Sequence, residues 1–204
     1  MVYIGPLMVD RDMNARHERI PLLACAAAMA CAAASSSIDL SRCPPLGNED
    51  AQIEVVVYSD FQCAFCKRAA AEIGRLVRRR PARIKVCFKH FPIARHAQSV
   101  NAAKAAEAAR LQGRFWEMHD LLFAHAGELT GGVYERLASR LGLDVDRFLE
   151  DMASAETAER IAADTAEGRA LGVDGTPFFF VNRTPFYGSY ADLVKRLDGL
   201  HGSW

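Results

Sequence analysis

This chain of 204 residues predicts an α/β fold with a block of helices set into its middle. Three observations carry that reading. An apolar, β-branched run at Ile53, Val55, Val56 and Val57 leads into a helical stripe at Phe65, Ala69, Ile73, Leu76 and Val77. Several further helical stripes follow one another through the middle of the chain. The sequence then returns to β character at Phe178, Phe179, Phe180 and Val181. Strand, helix, strand, helical block, hairpin and helix is an α/β order.

The elements follow in turn. Residues 35 to 52, with Cys43-Pro44-Pro45 and Gly47, read as an extended lead-in, and residues 53 to 59 as the first strong strand. A helix runs from Cys63 to about Arg79, where Arg78, Arg79 and Arg80 complement the negative end of its dipole and Pro81 stops it. A second strand spans Arg83 to Phe88 and gives way to His90-Phe91-Pro92. Val100, Ala103, Ala106 and Ala109 share one helix face, ended by Gly113; Phe115, Met118, Leu121 and Leu122 mark the next helix. Tyr134, Leu137 and Leu141 mark a third, stopped by Gly142. Asp144 caps a fourth that carries Phe148 and Met152, and residues 155 to 171 form a fifth. After the Phe178 strand, Asn182-Arg183 makes a turn into a short partner strand at Pro185-Phe186-Tyr187. Tyr190, Leu193, Val194 and Leu197 line a last helix. All these stripes read as core rather than cofactor contacts.

The first 34 residues have a different character. Arg11, Arg16 and Arg19 precede an apolar, alanine-rich run from Ile20 to Ala34, followed by serines. A basic region, an apolar region and small residues make a secretory signal, and the run is shorter than the ~20 residues a membrane span needs. Met13 offers an alternative start. Cleavage after Ala32-Ala33-Ala34 is the reading adopted, with a lipid anchor at Cys31 or Cys25 as its alternative. Export implies an oxidising, periplasmic or other extracytoplasmic compartment. Formal net charge is zero and half the residues are hydrophobic, which suits a self-sufficient core and argues against a nucleic-acid partner.

Chemistry concentrates at Cys63-Ala64-Phe65-Cys66, where a strand turns into a helix. The first N–H groups of a helix lack internal partners and carry partial positive charge, which favours a thiolate at Cys63. Cys66 lies one turn in, close enough to close a disulfide ring. The alternative is half of a zinc site, but that needs two more ligands, and Cys43 and Cys87 stand singly about 20 residues away on either side. Cys87 reads as an inert buried strand residue and Cys43 as free to pair with another chain, with a Cys43–Cys87 disulfide left open. His90, His96, His119 and His125 form no metal-ligand spacing, so no metal site is expected.

The segment Asp60-Phe61-Gln62-Cys63-Ala64-Phe65-Cys66 resembles the active site of DsbA-like thiol–disulfide oxidoreductases, and Gly172-Val173-Asp174-Gly175-Thr176-Pro177 resembles their cis-proline loop. Phe88-Lys89-His90-Phe91-Pro92 and Gln112-Gly113-Arg114-Phe115-Trp116 agree. The resemblance implies a thioredoxin-like fold, residues 53 to 95 and 173 to 204, with an inserted α-helical domain from 96 to 172. It implies Cys63 and Cys66 as the catalytic pair, with no cofactor. It further implies substrate contact at Thr176, Pro177, Phe61 and Phe65, and support from Asp60, Lys67 and His90. The implied partners are cysteine-containing proteins and a redox partner that resets the pair; a monomer is expected. A disulfide reductase, or a peptide-binding or chaperone module with structural cysteines, is the competing reading, and an isomerase is disfavoured because the lead-in is too short for a dimerisation domain.

Three departures from the family pattern stand out. Val57 stands where members often carry a glutamate beneath the second cysteine, so the usual proton relay to Cys66 is missing. Ala64-Phe65 replaces Pro-His between the cysteines. Phe178 and Arg183 stand where smaller residues are common. A helix terminus alone lowers the Cys63 pKa by roughly one unit, which predicts an oxidant of intermediate strength.

Overall fold

The computed structural model describes residues 37 to 199, so the expectations for the secretory signal and for Cys25 and Cys31 lie outside the described residues. Twelve elements follow in order: β1 (Leu46–Gly47), β2 (Ile53–Ser59), α1 (Ala64–Arg79), β3 (Ile84–His90), α2 (Ser99–Leu111), α3 (Phe115–Ala124), α4 (Val133–Arg140), α5 (Val145–Ala153), α6 (Ala155–Ala170), β4 (Phe178–Val181), β5 (Thr184–Phe186) and α7 (Tyr190–Gly199). They build one mixed sheet in the order β1-β3-β2-β4-β5, in which only β2 and β3 run parallel. The fold is thioredoxin-like, with helices α2 to α6 connecting β3 to β4.

β2 is central and buried along its whole length, which its continuous β-branched run anticipates. Its alternation sends Val55 and Val57 into the larger core with α1, and Val56 and Tyr58 to the opposite face. α1 buries Cys66, Ala69, Ile73, Leu76 and Val77 against the sheet. The second strand runs two residues beyond its expected end because Tyr58↔Lys89 and Ser59↔His90 continue the parallel ladder.

The lead-in is more ordered than its sequence suggests. Leu46–Gly47 pairs with β3 as an edge strand, and a side chain at Gly47 (φ 102°) would run into the Ile84 carbonyl. A run of two residues is too short to show a period. Cys43 is bonded to Cys87 across 44 residues of sequence, which corrects the readings of Cys87 as inert and of Cys43 as free. The alternation of β3 turns Cys87 away from α1, to the face where the lead-in crosses.

α2 is buried on more than one side, packed by α3, α5 and α6, and its alanines permit that close approach. Ala102, Ala105 and Ala108 are therefore core, whereas Val100, expected there, is exposed. Buried charges tie these helices to the sheet. Glu107 on α2 meets His90 Nε2 at 2.9 Å and Arg110 Nε at 2.6 Å, with Arg160 of α6 also in contact. Burial alone would push the Glu107 pKa up, but the His90 hydrogen bond and the Arg160 guanidinium outweigh it and hold the group at about 2. Lys89 pairs with Asp164 and Glu167 of α6. Gly168 lets α6 lie directly on the Tyr58 and Phe91 rings, 2.8 Å and 3.0 Å from where a Cβ would stand. Asp144 caps α5 as expected, accepting from Arg147 N.

Candidate active site

The turn after β2 delivers Cys63 to the mouth of α1. Cys63 N donates to Asp60 O, and the Cys63 carbonyl accepts the first helical bond from Lys67 N at 3.0 Å. Cys63 is thus the N-cap, in extended conformation, and its side chain makes no conventional cap hydrogen bond. Its sulfur instead collects donors. The Cys66 thiol contributes most, burial opposes it, and the N–H groups of Cys66 and Phe65 with the Thr176 side chain add to the effect. Together they hold Cys63 at about 5, well below the value near 7.5 that a helix terminus alone would leave.

Cys66 has the opposite character. It is buried, and burial together with its bond to Cys63 pushes its thiol up, against weaker help for the thiolate from the Ser59 side chain and the Asp60 backbone. The dithiol therefore shares one proton, carried by Cys66 and donated toward a Cys63 thiolate. Ser59 is a contact that sequence reasoning missed; its only signal was a polar residue ending a buried strand. Val57, in the family's acid position, lines with Cys66 a cavity of about 350 Å³.

The Thr176–Pro177 peptide is cis, and the Thr176 carbonyl lies 3.4 Å from Cys63 Sγ as an acceptor for the thiol. Pro177 precedes β4, whose pairing with β2 (Tyr58↔Phe178) aligns this loop with the strand that feeds Cys63. Phe65 is 59 % exposed beside Cys63, with the Arg68 guanidinium 5.4 Å from its ring centre. Past the proline, Phe178 meets the exposed Tyr187 ring edge-on at 6.0 Å, an exposed aromatic that the sequence reading did not single out.

Three residues expected at the site face elsewhere. Phe61 is fully buried, stacked on Phe88 at 5.1 Å and tilted against Phe123 at 5.0 Å, so it is core beneath the turn and touches no groove. Asp60 is buried and takes up Ile93 N, His96 Nδ1, Ser99 Oγ and Gln62 N, which makes it a latch between the turn and α2 rather than a proton relay. His90 is buried and committed to Glu107. Lys67 lies one turn beyond Cys63 with its Nζ on the Ala124 carbonyl. The zinc alternative loses its remaining ligands, since Cys43 and Cys87 are bonded to each other.

Comparison with known proteins agrees with this geometry. Residues 54–199 match the family model of the DSBA-like thioredoxin domain. Among solved structures, the thiol-disulfide exchange protein alpha-DsbA2 from Wolbachia pipientis superposes with a TM-score of 0.70 at 27% identity, over 81% of this chain and 90% of that one. A thioredoxin-like oxidoreductase from Silicibacter pomeroyi DSS-3 gives 0.67 at 32% identity, over 76% and 90%. Among curated proteins, an antiporter named Na(+)/H(+) antiporter NhaA 1 from Salinispora arenicola is 42% identical over 154 residues, which are 75% of this chain. The chain spans only 24% of that antiporter's length. The chain belongs to the DSBA-like thioredoxin-domain family.

Proposed function

We propose that this chain is an exported oxidant of protein thiols, of intermediate strength, working through Cys63 and Cys66. The observation that carries the proposal is the division of proton affinity between the two sulfurs: Cys63 is held at about 5 while Cys66 is pushed up. A value of about 5 falls inside the ~3.5–7.5 range of activated Cys-x-x-Cys thiols, which is the ground for intermediate strength. The more the Cys63 thiolate is stabilised, the more the dithiol is favoured over the disulfide, and the more strongly the disulfide oxidises.

Exchange proceeds in two displacements. A substrate thiolate attacks Cys63 Sγ of the Cys63–Cys66 disulfide; a mixed disulfide forms, and Cys66 leaves with the bonding pair and takes up a proton. A second substrate thiolate then attacks the substrate sulfur bonded to Cys63, and Cys63 departs as the thiolate that its donors stabilise. The substrate loses two electrons and the pair gains them, and a redox partner restores the disulfide. An extended substrate lies against Thr176 and Pro177 as an added strand, with Phe65 as an exposed apolar contact and Lys67 at the rim. Residues 53 to 95 and 173 to 204 form the exchange domain in this reading, and 96 to 172 the helical domain that covers it.

Export is supported by the signal pattern of residues 1 to 34 and by the Cys43–Cys87 bond, since disulfides persist in oxidising compartments. The test is oxidation of a reduced two-cysteine peptide, followed by trapping. Cys63→Ser abolishes turnover, while reduced Cys66→Ser accumulates a stable mixed disulfide when given an oxidised peptide. Undiminished peptide binding with no exchange in the unaltered chain would instead identify a binding module.

A further inference from the structure

We propose that His119, backed by Asp120, is the proton relay of Cys66, taking the place of the acid that Val57 leaves out. The proposal rests on the exchange reading above and assigns it a positioning and proton-carrying residue. Whenever Cys66 attacks Cys63 it must lose a proton, and whenever it is displaced it must regain one, from a buried site.

The nearby carboxylates are already committed. Asp60 accepts from four donors, Glu107 faces His90, Arg110 and Arg160, and Asp164 is held by Lys89 Nζ and His90 N. The cavity that Cys66 lines with Val57 and Ser59 is also lined by His119 and Asp120 of α3, and at about 350 Å³ it has room for bridging water. His119 is buried, with its Nδ1 2.9 Å from Asp120 Oδ1, while the Asp120 side chain is 79% exposed. The Asp120 carboxylate can only accept, so Nδ1 carries the hydrogen. Nε2 keeps its lone pair, and among the described residues no hydrogen bond engages it. The path therefore runs from Cys66 through cavity water to Nε2, and from the ring through Asp120 to solvent.

The surroundings suit an acceptor that is neutral before transfer. Burial lowers the His119 pKa, with Asp120 opposing and His90 of β3 reinforcing. From α1, Lys67, Arg75 and Arg78 also line the cavity, and the remaining faces of the ring meet Phe61, Phe88, Phe115, Trp116 and Phe123. In the resolving step the Cys66 S–H proton passes to Nε2. The freed electron pair forms the Cys66–Cys63 bond, the Cys63–substrate bond breaks, and the substrate leaves as a thiolate. In the oxidising direction, the displaced Cys66 thiolate takes the proton back.

The experiment follows the two displacements separately. Reduced protein is mixed with a disulfide-bonded peptide between pH 5 and 8, quenched in acid, and the mixed disulfide counted over time. His119→Gln is expected to form the mixed disulfide at the unaltered rate but to resolve it roughly 10²-fold more slowly, the lower end of what a positioned base contributes. Its resolving rate also climbs with pH across the range more steeply than that of the unaltered protein. Asp120→Asn, an exposed change outside the ring cluster, slows resolution about 3-fold, the size of an exposed ionic partner. Unaltered resolution in both variants, or equal slowing of both displacements in His119→Gln, overturns the relay. If His119→Gln fails to fold by circular dichroism, Asp120→Asn decides alone, and unaltered resolution there overturns it. Failure of the unaltered chain to form any mixed disulfide counts against the exchange reading itself.

Discussion

Two pairs of sulfurs lie on opposite sides of one sheet, and their contrast shows what makes a cysteine reactive. Cys63 and Cys66 belong to the core that α1 covers; Cys43 and Cys87 belong to the smaller cluster on the other face. The first pair is three residues apart at a helix mouth, where thiol, N–H and hydroxyl donors converge on one sulfur. The second joins positions 44 residues apart, and the polar neighbour of Cys43 Sγ is the Phe88 carbonyl, which cannot stabilise a thiolate. Donors aimed at sulfur suit the first pair to the proposed exchange. Loop closure makes the second a staple for the lead-in.

The strongest way to break this contrast is to remove each pair in turn. Cys63→Ser should reduce exchange by at least ~10³-fold, since among the described residues no other thiol is activated by its surroundings. Replacing both Cys43 and Cys87 by Ser should leave exchange within about 2-fold, while urea unfolding shows a loss of roughly 2–4 kcal/mol, as expected for freeing a loop of this length. Loss of exchange in a folded double variant would mean that the two pairs are coupled and the division of labour is wrong.

What the sequence made legible follows the same division between local and distant causes. The Cys63 site was readable because its determinants are adjacent: a β-branched run, two cysteines and a helical stripe. The Cys43–Cys87 bond was not, because it depends on which face of β3 carries Cys87 and on where the lead-in crosses. Phe61 misled for the same reason. Its position two residues before Cys63 suggests contact with substrate, yet the turn drives its ring onto Phe88. Val100 failed because alanines let α2 bury more than one side, so one stripe no longer identifies the inner face. Ser59 and His119 reach the surroundings of Cys66 only through tertiary packing, and neither carries a motif.

A smaller effect sharpens the contrast through pH. In the dithiol, Cys63 titrates at about 5 when folded against an ordinary ~8.5 when unfolded. A depressed pKa contributes stability that is fully present above the unfolded value and is lost as pH falls through the folded one. Cys66, pushed up by burial, stays protonated across that window and adds no slope. The melting temperature of the active-site dithiol form, relative to the disulfide form, should therefore fall steadily from pH 8 to 5 and level off below. The Cys43–Cys87 bond has no proton to lose and cannot contribute. A gap that stays constant between pH 8 and 4 would place Cys63 at its ordinary value and remove the distinction between the pairs.

The smallest effect tests how the proline loop shares in the activation. Thr176 presents two groups to Cys63: a carbonyl that accepts from the thiol at 3.4 Å, and a side chain that favours the thiolate. Thr176→Val removes the hydroxyl and keeps both the shape and the carbonyl. The remaining carbonyl favours the protonated form, so the Cys63 pKa should rise by roughly 0.5–1 unit, the worth of one hydrogen bond to an ionised acceptor at a partly wetted site. Thiolate absorbance near 240 nm across a pH titration reads the shift directly. The variant should also oxidise more weakly in glutathione buffers, because a less stabilised thiolate leaves the dithiol less favoured. An unchanged titration would assign the whole depression to Cys66 and the helix mouth, leaving the loop a role in binding alone.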